Sequence, residues 1–131
     1  MMAGNKYFLD SNIIIDLFKG NKDIKEFLNE NTFVYIPVIV IGELLFGAEN
    51  ALYPEKHFKQ VKDFLVDFEI VKIDFETSKY YGKIKAQLKK SGKLIPDNDI
   101  WIASLSMQHN YTLITNDAHF TNVSLLKFKQ I

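Results

Sequence analysis

Four carboxylates stand out in this 131-residue chain because of where they fall. Asp10 directly follows the apolar run Lys6–Leu9, and Asp117 comes two residues after Thr115, which ends the run Thr112–Thr115. Glu43 is the single charge between Val38 and Ala48, with Ile39, Val40, Phe46 and Gly47 one turn to either side. Asp99 stands three residues after Pro96 and two after Asp97. Alone, each has a plain structural reading. Asp10 and Asp117 suit turns or helix caps, and Asp99 suits the positive end of a helix dipole. Glu43 is harder to place, because burying an unpaired carboxylate costs several kcal/mol. Together they suggest one site. Clustered carboxylates raise one another's pKa unless a cation neutralises them. An all-oxygen donor set selects Mg²⁺ or Mn²⁺ over Zn²⁺. Such an ion can acidify water and stabilise charge on a phosphoryl oxygen, which points to phosphodiester hydrolysis.

The elements that must position these acids alternate along the chain. Lys6–Leu9, Phe33–Ile36, Ile70–Ile73 and Thr112–Thr115 read as strands, with a fifth at Leu125–Phe128. Ile70–Ile73 has the composition of a buried strand. A helix capped by Ser11 or Asn12 runs through Ile13, Leu17 and Phe18 to Gly20, and Lys22–Asn29 is a second. Pro37 opens a helix reaching about Asn50, and Pro54 one reaching about Phe68. Phe75 to Lys90 forms a long helix stopped by Gly92. Asp97 is expected to cap the next, which carries Ile100, Trp101, Ile102, Leu105 and Met107. This order predicts an α/β fold with a parallel sheet of four or five strands and helices on both faces. Ligands in such folds bind beyond the carboxyl ends of the strands.

Charge adds a second feature. Sixteen basic residues balance sixteen acidic ones, and every basic residue is lysine. Phosphate binding must therefore use ammonium groups, backbone N–H or a metal, without guanidinium forks. Six lysines lie between Glu76 and Lys93, whereas Leu94 to Leu126 contains only Asp97, Asp99 and Asp117 as charges. The absence of cysteine excludes disulfides, thiolate metal sites and a thiol nucleophile. A chain of this length fits one domain spanning residues 1–131. No segment approaches the ~20 apolar residues of a membrane span, and Asp10 and Asp16 interrupt the first apolar stretch where an export signal would need none. A cytoplasmic protein is expected.

Five fragments in order carry a family resemblance: Phe8-Leu9-Asp10-Ser11-Asn12-Ile13-Ile14-Ile15-Asp16, Ile39 to Ala48, Tyr81 to Ala86, Ile95-Pro96-Asp97-Asn98-Asp99-Ile100-Trp101-Ile102-Ala103, and Leu113 to Phe120. The chain resembles a PIN-domain ribonuclease of the bacterial VapC-type toxin group. The resemblance implies a three-layer α/β/α PIN-like domain and Mg²⁺- or Mn²⁺-dependent cleavage of RNA. It also implies a homodimer, inhibited by a cognate antitoxin whose tail blocks the crevice. The family's acidic quartet falls on Asp10, Glu43, Asp99 and Asp117. Asp10, Asp99 and Asp117 would ligate metal, and Glu43 would orient or deprotonate the attacking water. Asn12 and Thr115 would hold the carboxylates by hydrogen bonds. Family members often carry arginine near the site; here Lys83, Lys85, Lys89, Lys90 and Lys93 would hold the RNA backbone.

Four further residues are assigned structural places. His119 reads as a surface imidazole, His57 and His109 as structural, and Trp101 as an interface residue. Two rival functions are compatible with acids at strand ends. One is a non-catalytic module that binds metal or RNA. The other is a small Mg²⁺-dependent phosphatase, although Asp10-Ser11-Asn12 lacks the second Asp of an aspartyl-phosphate motif.

Overall fold

The computed structural model describes residues 4–31 and 33–131. The chain runs β1 (Tyr7–Leu9), α1 (Ser11–Phe18), α2 (Lys22–Glu30), β2 (Val34–Pro37), α3 (Val38–Glu49), α4 (Pro54–Leu65), β3 (Glu69–Val71), α5 (Phe75–Lys90), α6 (Asp97–His109), β4 (Thr112–Ile114) and β5 (Phe128–Lys129). A 3₁₀ turn over Ala118–Asn122 lies between the last two strands. The sheet has the order β3-β2-β1-β4-β5, and every neighbouring pair is parallel. The expected α/β architecture and parallel sheet are therefore present.

The strand order locates the site. From β1 the chain builds outward through β2 to β3, then crosses back to place β4 on the other side of β1. Connections leaving the carboxyl ends of β1 and β4 diverge there, and this switch point opens a crevice in doubly wound sheets. The two strands are in register, with Leu9 opposite Ile114, and the Asp10 N–H continues the ladder to the Ile114 carbonyl at 3.0 Å. Asp10 and Thr115 therefore face each other just beyond the sheet.

β1 is buried along its whole length, as the central strand of a sheet covered on both faces must be. Phe8, Leu9, Ile13, Ile36, Leu88, Ile100, Ile102, Leu105, Leu113 and Phe120 are fully buried around it. The α5–α6 pair is antiparallel: Thr77 meets Gln108, Tyr81 stacks on Trp101 and Lys85 meets Asp97. The acidic start of α6 thus lies beside the lysine-rich end of α5. Gly92, in the left-handed region at φ +69°, ends α5 as its sequence position implies.

Several local expectations need correction. Neither Ser11 nor Asn12 caps α1; Asp10 does, accepting the Ser11 N–H. Asp97 is the first residue of α6 and makes no cap hydrogen bond; Pro96 holds the cap position. The Asp97 carboxylate instead accepts from Tyr81 Oη at 2.8 Å and Lys85 Nζ at 3.0 Å, bracing α6 against α5. The third strand is Glu69–Val71 rather than Ile70–Ile73, and it is an edge with Ile70 40% exposed. The fifth is Phe128–Lys129, because Leu125 is exposed with φ at +67°. The helix from Pro54 ends at Leu65, short of Phe68.

Candidate active site

Asp10 is the most fully supported of the four acids. Its side chain is 3% exposed, with Oδ1 accepting the Ser11 N–H at 2.8 Å. Oδ2 accepts from Asn12 Nδ2 at 3.2 Å and from the fully buried Thr115 hydroxyl at 2.7 Å. Thr115 Oγ1 also accepts the Asp117 N–H at 3.0 Å, and Asn12 Oδ1 accepts the Asn116 N–H at 3.3 Å. Asn12 and Thr115 thus tie the loop after β4 to the loop after β1 with Asp10 between them. Burial nonetheless raises the Asp10 pKa, and Asp117 adds to the rise against these hydrogen bonds.

Asp99 enters from the first turn of α6 and is 7% exposed. Its pKa is also raised, first by burial and then by the charges of Asp117 and Asp10, while His119 opposes the rise. Glu43 comes from α3. Burial raises its pKa, then Asp10 and Asp99, and the nearby Ser11 and Asn98 side chains ease it down by less. Among the described residues, Glu43 Oε1 is buried without a hydrogen-bond partner. Asp117 completes the set from the loop after β4, half-buried and accepting the His119 N–H at 2.9 Å.

The four predicted acids approach one mouth of the sheet from the end of β1, α3, α6 and the loop following β4. Among the described residues only Asp99 and Asp117, with His119, offer ligand atoms all within 4.8 Å of one another, and Asp10 and Glu43 stand beside that group. The charge of Asp117 raises the pKa of Asp10 and of Asp99, and the charges of Asp10 and Asp99 raise that of Glu43. A partnerless buried carboxylate oxygen among like charges is costly. The oxygen-rich donor set fits a hard divalent ion.

The imidazole of His119 stands in the same place. Its Nδ1 lies 3.0 Å from Asp99 Oδ2 and 3.1 Å from Asp117 Oδ1. These carboxylates raise its pKa, the Asp99 hydrogen bond foremost. Exposure of the ring fits the surface reading of His119, but isolation from the acids does not. His109 packs against Phe8 and Tyr111, as a structural histidine would.

Two clefts flank Glu43. One, of about 310 Å³, lies between α1, α3 and α4, with Ile15, Phe18, Leu44, Ala48 and Val61 among its walls. The other, of about 520 Å³, is bordered by Val38, Ile39, Gly42, Phe46 and Asn98. Of the five lysines expected to bind RNA, Lys83, Lys89, Lys90 and Lys93 are exposed. Lys85 is half-buried and paired with Asp97. Trp101 is half-buried with its ring 4.0 Å from that of Tyr81.

The family model for the PIN domain matches residues 7–126, a span that takes in all four acids. The chain belongs to the PIN-domain family. Among curated relatives of this PIN domain, ribonuclease VapC2 of Haemophilus influenzae is 36% identical over 114 residues, covering 86% of each chain. The tRNA(fMet)-specific endonuclease VapC of Salmonella typhimurium is 31% identical over 114 residues, again covering 86% of each. The PIN fold also matches the solved DNA-bound VapBC of Salmonella typhimurium with a TM-score of 0.92 and 28% identity, over 97% of this chain and 98% of the other. VapBC2 of Rickettsia felis, solved with a promoter DNA fragment, gives 0.88 and 28%, over 95% and 98%.

Proposed function

We propose that this PIN domain is a divalent-metal-dependent endoribonuclease of the VapC type and the toxin of a toxin–antitoxin pair. The observation that carries the proposal is Glu43 Oε1, buried without a partner beside Asp10 and Asp99. A carboxylate held in that state suits a proton acceptor close to a cation. Asp10, Asp99 and Asp117 would hold Mg²⁺ or Mn²⁺, which when bound supplies charge stabilisation at the phosphoryl oxygens and acidifies water. Glu43 orients the attacking water and takes its proton, and its raised pKa brings it nearer to neutrality, where a general base is most effective. Asn12 and Thr115 fix the Asp10 carboxylate so that it need not reorganise during the reaction.

Exposed lysines on and just after α5 supply phosphate contacts, which position a strand without reading its sequence. The apolar cleft between α1, α3 and α4 leads to Glu43 and suits the inhibitory segment of an antitoxin. A homodimer belongs to the same proposal, with the exposed Phe46, Leu52 and Tyr53, on and just after α3, as apolar surface for it. No helix among the described residues is long and apolar enough to cross a membrane; a cytoplasmic location belongs to the proposal because that is where an RNA substrate is met. The phosphatase reading is less favoured: the residue two after Asp10 is Asn12, which donates to Asp10 and offers no second carboxylate.

The test is cleavage of single-stranded RNA with Mg²⁺ or Mn²⁺ against the same reaction in EDTA. Metal-dependent internal cleavage, lost in Asp99→Asn, is expected. Binding of RNA with no cleavage under any metal would favour a non-catalytic module, and phosphomonoester hydrolysis without RNA cleavage would favour the phosphatase.

A further inference from the structure

We propose that His119 is a nitrogen ligand to the divalent cation of the acidic site, giving this chain a preference for Mn²⁺ over Mg²⁺. The inference rests on the metal-dependent reading above and adds to it a donor that is not a carboxylate.

Local structure aims the ring. Asp117 caps the 3₁₀ turn by accepting the His119 N–H, so the chain folds back over the Asp117 side chain. Phe120, fully buried, anchors the turn to the core. The imidazole is thereby directed toward α6, with Nδ1 at 3.0 Å from Asp99 Oδ2 and 3.1 Å from Asp117 Oδ1. Among the described residues the ring has no polar partner other than these two carboxylates.

The spacing is that of ligands around one ion. One ligand atom from each of Asp99, Asp117 and His119 can be chosen so that all three lie within 4.8 Å of one another. Around a six-coordinate ion with bonds of roughly 2.0–2.1 Å, adjacent ligand atoms are about 3 Å apart and opposite ones about 4 Å. The distances from His119 Nδ1 to the two carboxylates match adjacent positions. Imidazole suits Zn²⁺, Cu²⁺, Fe²⁺ and Ni²⁺ best, and carboxylates and water suit both Mg²⁺ and Mn²⁺; of these last two, Mn²⁺ is the first-row transition ion and takes a nitrogen donor more readily. A mixed set of carboxylates and one imidazole therefore shifts affinity toward Mn²⁺.

Pulsed EPR of the full chain loaded with less than one equivalent of Mn²⁺ tests the proposal without reference to activity. Wild type should show the coupling of a directly bonded imidazole nitrogen, and His119→Ala should lose it. The other histidines serve as internal controls: His109 packs between Phe8 and Tyr111, and the coupling should survive in His57→Ala. Mn²⁺ affinity should fall about tenfold or more in His119→Ala, with Mg²⁺ affinity, read by competition, little changed. The substitution leaves the backbone bond to Asp117 and the buried Phe120 in place, so the turn persists. Mn²⁺ bound without nitrogen coupling, or an unchanged ratio of Mn²⁺ to Mg²⁺ affinity in His119→Ala, would overturn the ligand assignment while leaving the acidic metal site standing. Failure of wild type to bind Mn²⁺ at all would overturn both.

Discussion

The Thr115 hydroxyl donates to Asp10 Oδ2 at 2.7 Å across 105 residues of sequence. This bond joins the loops that diverge from β1 and β4 and fixes the two halves of the sheet to each other at the site. Thr115→Val keeps the shape of the side chain and removes the donor. Metal affinity should fall about 10–100-fold, as for other partners of ligating groups, and Thr115→Ser should recover most of the loss. Calorimetric titration with Mn²⁺ checks both variants.

Stability of the metal-free protein should fall as pH rises from mildly acid to neutral. Asp10, Glu43 and Asp99 all have raised pKa values in the folded state. The folded chain therefore holds protons that the unfolded chain has already released, and it loses stability as pH climbs from about 4 through the folded values. Glu43→Gln removes one contribution. It should stabilise the protein in EDTA at pH 7.5 by on the order of 1 kcal/mol or less, given solvent screening of this half-buried group, and by nothing at pH 4. Urea melts at both pH values measure the difference; parallel wild-type and variant profiles would show that Glu43 is not charged against its neighbours.

Metal should reverse that trend. At a concentration 100 times its dissociation constant, a bound ion adds about 2.7 kcal/mol. The gain should shrink toward pH 5, where protons compete for the carboxylates, and should be largely absent in Asp99→Asn. Thermal melts with and without Mn²⁺ across that range provide the comparison.

The lysines should separate into two groups. Substituting Lys83, Lys89, Lys90 and Lys93 by Gln should weaken RNA binding and lower the slope of log affinity against log salt by up to about 0.7 for each phosphate no longer neutralised. Lys85→Gln should change that slope least, because its ammonium already pairs with Asp97 and the Tyr81 hydroxyl. Fluorescence anisotropy with a labelled single-stranded RNA at several salt concentrations resolves the two groups.

Much of the site is legible in the sequence because each acid breaks a local pattern. A lone carboxylate on an apolar helix marks Glu43, and a carboxylate directly after the apolar run Lys6–Leu9 marks Asp10, whereas Thr115 is read as the end of a strand and enters the site only through the family resemblance. What escapes depends on partners distant in sequence. Asp97 has the position of a helix cap, but Pro96 at φ −55° and ψ 145° starts α6 unaided and frees Asp97 to reach α5. Ile70 and Val71 have strand chemistry, yet their exposure follows from the edge position of β3, which composition does not encode. His119 has the sequence setting of a surface residue, because the turn that swings it onto Asp99 forms only when Asp117 accepts its N–H.

Crystals soaked in Mn²⁺ and measured for anomalous scattering give the most direct view of whether the four acids share an ion. A strong peak at bonding distance from oxygens of Asp10, Asp99 and Asp117, with Glu43 beside it, is the expected result. A map with no peak among these side chains at millimolar Mn²⁺, from crystals in which the site is open to solvent, would refute the shared-cation site and the nuclease chemistry built on it.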